Sequence, residues 1–279
     1  MHIYPIGLDG YRILQLSNAS SSQMMGYLVY CPNGKLIVLD GGTAVAGPRL
    51  RQLLREAGGR VSLWLLTHFH HDHVTAPLDI LECPDGITVD RICGQAVSPA
   101  LRQPGFGDSD PLAARFEALA VPDRVLADAG VRLEAGGVTV DCLNDPMRIV
   151  REPWLDAQNF HINDSSAVYR LTFPNGKTAL FPGDLGPGLS DRLAGELGDR
   201  LRADICQMSH HGQNGASRRF YACVRPSFCF WDAPDWLWEN DAGGGFGTGP
   251  WATLEVRRWM AELGVIRHAH QGLGENLLV

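Results

Sequence analysis

Leu65-Leu66-Thr67-His68-Phe69-His70-His71-Asp72-His73-Val74 places four histidines and an aspartate within six positions, directly behind the apolar run Val61–Leu66. A short apolar run of this kind reads as a buried strand. A strand that ends in a tight loop can aim several side chains at one point. Imidazole nitrogens and carboxylates are the ligands that a zinc-like cation prefers. Without a cation, five ionisable groups this close are costly to hold together, because like charges and lone pairs crowd one another. A purification tag would sit at a terminus, and a solvated His-rich loop would need no strand before it. The stretch is therefore read as a metal-binding loop.

Outward from that loop, the 279 residues suit one large domain or two small ones. A hydrophobic fraction of 45% and a charged fraction of 20% are those of a soluble globular protein. The net charge of -7 argues against a broad nucleic-acid surface. Met1 to Leu16 shows no basic segment followed by an apolar one, and no apolar run reaches membrane-spanning length. Seven cysteines, none in a CxxC pair, are expected as small buried residues of a reducing compartment. A cytoplasmic location is the expectation.

Strand and helix signals alternate along the chain. Tyr27–Tyr30 and Leu36–Leu39 flank Pro32-Asn33-Gly34, a hairpin turn. Residues 48–57 and 111–121 carry apolar side chains at helical spacing, and Gly58-Gly59 stops the first of these helices. Ala167–Phe173 and Thr178–Phe181 form a second hairpin around Pro174-Asn175-Gly176. A helix through Leu189, Leu193 and Leu197, strands at 205–208 and 227–231, and a helix through Val256 and Met260 follow. The glycine-rich segment Asp241–Pro250 reads as a loop. The Pro-Asn-Gly-Lys turn occurs twice, each time before an apolar strand that delivers an aspartate, Asp40 or Asp184. This echo predicts a duplicated half and an α/β architecture of four αββα layers, two mixed sheets with helices outside. No linker divides the chain. One domain over 1–279 is expected, with halves at roughly 1–145 and 146–279.

His68, His70, Asp72 and His73 spell HxHxDH, and with this string the chain resembles the metallo-β-lactamase superfamily. Later motifs arrive in that family's order: His161-Ile162-Asn163-Asp164-Ser165-Ser166 before a strand, Phe181-Pro182-Gly183-Asp184, and Ser209-His210-His211-Gly212 after a strand. Asp40-Gly41-Gly42 looks like the family's early Asp-Gly, which supports the site without binding metal. The resemblance implies two divalent metal ions. One is held by His68, His70 and His161, the other by Asp72, His73 and His210, with Asp184 bridging. His210 is preferred to His211 because it comes first off the strand. His71 is expected to point away. A bridging carboxylate holds two cations roughly 3.5–4 Å apart, so that both act on one substrate group. A water between them loses its proton near neutral pH. All-His/Asp ligation suits zinc, with manganese or iron also compatible. Asp72, Asp184 and His211 are the expected catalytic groups. The family's di-iron oxygen-reducing branch carries a glutamate where this chain has His70, which favours hydrolysis.

Asn163-Asp164-Ser165-Ser166, Gly183-Asp184 and His210-His211-Gly212 together look like the hydrolase domain of the DNA-uptake (competence) channel protein. Its soluble relatives include a phosphocholine esterase acting on teichoic acid. The chemistry implied is hydrolysis of a phosphodiester or phosphoester. The chain departs from that branch at Gln213, where a serine is usual, and carries no membrane channel. Asn163 and Ser165 are expected to meet the substrate, and Arg218 and Arg219 to hold phosphate oxygens. Seven aromatic residues between Phe228 and Trp251, among them Trp236 and Trp238, stand among carboxylates. They could form a cage for a quaternary ammonium group, a lid over the metals, or ordinary core. A carbonyl hydrolase acting on lactones or thioesters, and a non-catalytic metal-binding sensor, are the competing readings. The expected partner is a small-molecule or phosphoester substrate, with neither a nucleic-acid surface nor a membrane; the oligomeric state stays open.

Overall fold

Leu36-Ile37-Val38-Leu39 has no polar face, and both of its faces are used. The computed structural model describes residues 1–18, 20–96, 109–121, 123–155 and 161–279, with backbone only at 109, 110 and 161. Ile37 and Leu39 join Leu63, Leu65, Phe181, Ile205, Phe228 and Phe230 in one apolar core. Leu36, Val38, Trp64, Leu180, Cys206 and Cys229 turn the other way, into a second core shared with the helices. Successive side chains of a strand point to opposite faces, so a strand apolar throughout must be covered twice. The first core lies between two sheets and the second beneath the outer helices, which gives the expected four-layer αββα arrangement.

Among the described residues the first sheet has eight strands. In spatial order they are His2–Tyr4, Asn276–Leu278, Arg12–Gln15, Gly26–Tyr30, Leu36–Asp40, Leu63–Leu65, Ile92–Gly94 and Arg124–Leu126. The second has seven: Arg132–Ala135, Val138–Cys142, Tyr169–Thr172, Thr178–Phe181, Ile205–Gln207, Phe228–Trp231 and His268–His270. Apart from the parallel edge pair of His2–Tyr4 with Asn276–Leu278, each sheet runs antiparallel as far as its Pro-Asn-Gly-Lys hairpin and parallel beyond it. The two turns match bond for bond. Cys31 N–H donates to Lys35 O at 3.0 Å and Phe173 N–H to Lys177 O at 2.9 Å. Gly34 (φ 78°) and Gly176 (φ 85°) take the left-handed conformation that each turn requires. The chain passes between sheets after Leu126 and before Arg132, ahead of residue 145, because the Arg132–Cys142 hairpin pairs into the second sheet. Its last strand, Asn276–Leu278, returns to the first.

The helix His71–Glu82 has no clear periodic signal, since it opens on polar residues and contains Pro77. Proline lacks the N–H that would bond the carbonyl four residues back. That carbonyl, of His73, accepts instead from Gly42 N–H at 3.1 Å. Gly42 O in turn accepts from Ala76 N–H at 3.1 Å, and Asp72 O from Met25 N–H at 3.0 Å. The proline thus opens a gap into which the loop after Asp40 docks. A Cβ on Gly41 would lie 2.8 Å from the Pro77 ring, so only glycine permits this approach. All seven cysteines are free, five of them buried, and Cys83 is exposed. Among the described residues no helix is long and apolar enough to cross a membrane.

Candidate metal centre

Three chain segments meet at the carboxyl ends of the parallel strands: the loop after Leu63–Leu65, the turn after Thr178–Phe181, and the loop after Ile205–Gln207. Three of the histidines there, His68, His73 and His211, are fixed through Nδ1. Asp40, fully buried at the end of its strand, accepts from Thr67 N–H (2.8 Å), Thr67 Oγ1 (2.6 Å) and His73 Nδ1 (2.8 Å). Having spent its hydroxyl proton on Asp40, Thr67 can accept from His68 Nδ1 at 3.1 Å, and Ser166 Oγ lies 3.2 Å from the same nitrogen. His211 Nδ1 donates to the main-chain oxygen of Asp232 at 3.1 Å. In all three rings Nε2 is turned toward the centre, the orientation that metal ligation needs, and His68 Nε2 there lies 3.1 Å from His70 Nδ1.

Two groups of donors result, each with its ligand atoms within 4.8 Å of one another: His68, His70 and Asp184, and Asp72, His73 and His211. Asp184 stands between them. Its Oδ2 lies 3.8 Å from His68 Nε2 and 3.4 Å from His211 Nε2, and its Oδ1 lies 3.3 Å from His73 Nε2. His211 Nε2 is also 3.2 Å from Asp72 Oδ2. His73 Nε2, His211 Nε2 and Asp184 Oδ1 are buried without a hydrogen-bond partner. Three buried, unpartnered donors converging beside two carboxylates fit a divalent cation, and the His/Asp set fits a borderline metal.

The electrostatics agree. Burial opposes the charged form of His211, yet the Asp184 and Asp72 carboxylates push its pKa up to about 10. His73 is raised in the same way, against its burial, by Asp184 and Asp40. Burial and the nearby His73 hold His68 neutral, well below the usual imidazole range. Asp72 and Asp184 lie below the usual carboxylate range because His73 and His211 outweigh their burial. The carboxylates draw positive charge to this point, and protons compete with cations for it.

In the last loop it is His211, and not the expected His210, that joins a donor group among the described residues. His210 (φ 51°) and His211 (φ 58°) are both left-handed, a conformation that costs a non-glycine residue about 1–3 kcal/mol. His210 N–H donates to Gly183 O (3.1 Å), and Tyr221 Oη accepts from Ser209 N–H (3.0 Å), which pins the turn. Gly212 permits it, since a Cβ there would meet the Trp231 ring at 2.2 Å. The reversed backbone swings the second imidazole, that of His211, in among the donors. His210 is only partly buried, with Nε2 3.4 Å from Asn163 Nδ2, outside both donor groups. Order of arrival off a strand does not predict orientation when the turn is left-handed.

The remaining expected residues fall unevenly. His161 begins the helical turn His161–Asp164, and its side chain lies outside the described residues. His71 is exposed, its Nδ1 3.9 Å from Asp72 Oδ1. Asn163 is buried beside His210 with its Oδ1 unpartnered. Ser165 Oγ is spent on Ile162 O at 2.6 Å. Ser166 carries more of the site, because its Oγ also accepts from Asp184 N–H at 3.0 Å. Arg218 pairs with Glu262 (2.7 Å) and Arg219 with Asp191 (3.4 Å), both on the exposed surface. Trp236 Nε1–H donates to Ser21 O (3.0 Å), and its ring packs on Trp251. Trp238 stacks on His270 at 4.6 Å and carries the Arg257 guanidinium at 3.9 Å, so its faces are already used. Phe228 and Phe230 belong to the inter-sheet core. Thr67 and Asp232 were not assigned to the metal site from the sequence. Thr67 had adjacency to His68 as its signal, and Asp232 stands, like the other site residues, just past a parallel strand.

Residues 26–80 match the model of the metallo-beta-lactamase superfamily. No match was found among curated protein sequences. The metallo-beta-lactamase fold protein YhfI from Bacillus subtilis is 14% identical over 94% of this chain and 96% of its own, with a TM-score of 0.55. CmlA, a diiron beta-hydroxylase from Streptomyces venezuelae, is 13% identical over 96% of this chain and 54% of its own, with a TM-score of 0.56. At these identities the likeness is one of fold: the chain has the metallo-beta-lactamase fold.

Proposed function

We propose that this chain is a dinuclear metal-dependent hydrolase, with a phosphodiester or phosphoester as the bond broken. The observation that carries the reading is the position of Asp184, whose two oxygens face both donor groups. His68, His70 and Asp184 would hold one cation, with His161 as a further candidate. Asp72, His73, His211 and Asp184 would hold the other. Two divalent cations at this spot supply Lewis acidity and lower the pKa of water. Asp40, Thr67, Ser166 and the Asp232 carbonyl keep each imidazole in one tautomer and one orientation. Asp72 and Asp184 keep negative charge at the centre down to low pH. Asn163, buried and with an unpartnered oxygen, offers a polar contact beside the donors.

Zinc is the favoured metal on ligand chemistry. The ion pairs of Arg218 and Arg219 weaken one argument for phosphate, because neither guanidinium is directed to the centre. A lactone or thioester therefore stands as the second reading, since the same cations polarise a carbonyl. A non-catalytic sensor is disfavoured by the intact donor set. The deciding experiment measures metal content and turnover together, with bis(p-nitrophenyl) phosphate, p-nitrophenyl phosphate, a lactone panel and a thioester panel. Two metals per chain with phosphodiester turnover supports the proposal. Turnover of lactones or thioesters alone assigns the second reading. Bound metal with no turnover on any arm overturns hydrolysis.

A further inference from the structure

The outer face of the second sheet holds a cavity of about 710 Å³ that contains none of the metal-site donors. A cavity of this size suits a small metabolite. Its wall carries five guanidinium groups, those of Arg132, Arg148, Arg151, Arg170 and Arg200. Three have carboxylate partners on the same wall. Arg148 is bidentate to Glu196 (2.7 and 3.0 Å) and reaches Glu152 at 3.0 Å. Arg132 donates to Asp141 at 2.6 Å, and Arg151 pairs with Asp145.

Arg170 is different. It lies mid-strand, and its neighbours Tyr169 and Leu171 are locked into the inter-sheet core. Alternation along the strand therefore forces Arg170 to the opposite face, onto the cavity wall. Its cross-strand partner is Asp141, whose carboxylate already serves Arg132. Arg170 Nε is buried with no hydrogen-bond partner. Arg200, on the exposed turn Gly198–Leu201, lines the same cavity and forms no ion pair among the described residues. A buried cationic donor without an acceptor costs desolvation free energy that a matching anion would return. The guanidinium fork fits the oxygens of a phosphate group in pairs. With five guanidiniums against four carboxylates, this wall carries a net positive charge in a chain of net charge -7.

We propose that this cavity is a second ligand site, which takes a small phosphate-bearing anion through Arg170 and Arg200, apart from the metal centre. The test is calorimetric titration of inorganic pyrophosphate into the metal-loaded protein, with citrate as a parallel arm. Arg170→Met should weaken the binding event at this cavity at least 10-fold, and Arg200→Ala about 3-fold, while any pyrophosphate binding at the metals persists in both. The melting temperature of Arg170→Met should equal or exceed that of the parent, because the change removes a buried Nε–H that has no acceptor. A purely structural arginine would give the opposite. Identical isotherms for parent and Arg170→Met overturn the proposal, and so does citrate binding as tightly as pyrophosphate. Should Arg170→Met not fold, Arg200→Ala decides alone, and unchanged affinity in that variant overturns the site.

Discussion

Asp40 and Asp184 follow equivalent strands in the two sheets, behind the same Pro-Asn-Gly-Lys turn, yet they do different work. Asp40 is the last residue of its strand and adopts a left-handed backbone (φ 48°). Its carboxylate is consumed by Thr67 and His73, so it never reaches the centre directly. Asp184 stands beyond Phe181, past an inserted Pro182-Gly183 step, where Gly183 (φ 59°) packs against Ser166. That step carries its oxygens into the space between the two donor groups. A few ångströms of backbone thus separate an orienting carboxylate from one that faces both donor groups. The parallel strands that follow repeat the contrast. One is followed by five ionisable residues in six positions, the other by two histidines of which only His211 turns inward.

This division of labour can be broken at several points. Asp184→Asn should have the largest effect: loss of at least one of two bound metals by elemental analysis, with turnover down by more than about 100-fold, beyond the usual cost of losing an outer partner. His211→Ala should come next, lowering metal content, whereas His210→Ala should leave it unchanged. Equal metal loss in the two variants would return His210 to the ligand set. Asp40→Asn should weaken metal affinity by about 10–100-fold, the range for groups that orient a ligand. A loss as deep as that of Asp184→Asn would remove the distinction between the two aspartates. The smallest effect should come from the turns. Gly34→Ala and Gly176→Ala each place a Cβ on a left-handed residue, and each should lower unfolding free energy by about 1 kcal/mol in denaturant titrations. Clearly unequal costs would show that the two hairpins are not mechanically equivalent.

The four layers could be read from the chain because they rest on local signals: apolar runs too long to leave a polar face, helical spacing, and a turn that only glycine can complete. The clustering of His68, His70, Asp72 and His73 is likewise local, since adjacency in sequence nearly guarantees adjacency in space. What escaped reading depends on partners far away. The helix at His71 is stabilised where Pro77 interrupts it, by bonds from Met25 and Gly42 that no periodicity records. The choice of His211 follows from backbone dihedrals set by contacts with Gly183, Tyr221 and Trp231. Arg218 and Arg219 carried the right charge for phosphate, but Glu262 and Asp191 arrive from other helices to claim them. Trp238 had the composition of a ligand cage and is instead filled by this chain's own Arg257 and His270.

The six donors are divided between loops of two different sheets, and the sequence separation between the 68–73 loop and Asp184 exceeds a hundred residues. A cation held there would be a cross-link as well as a reagent. It would close a long loop, in the manner of a disulfide, in a chain whose cysteines are all free. The edge-to-face contacts of Tyr27 with Phe181 and Phe230 join the same two sheets without it. Stripping the metal should therefore loosen the rim of the sandwich, where the loops are, and leave its middle closed.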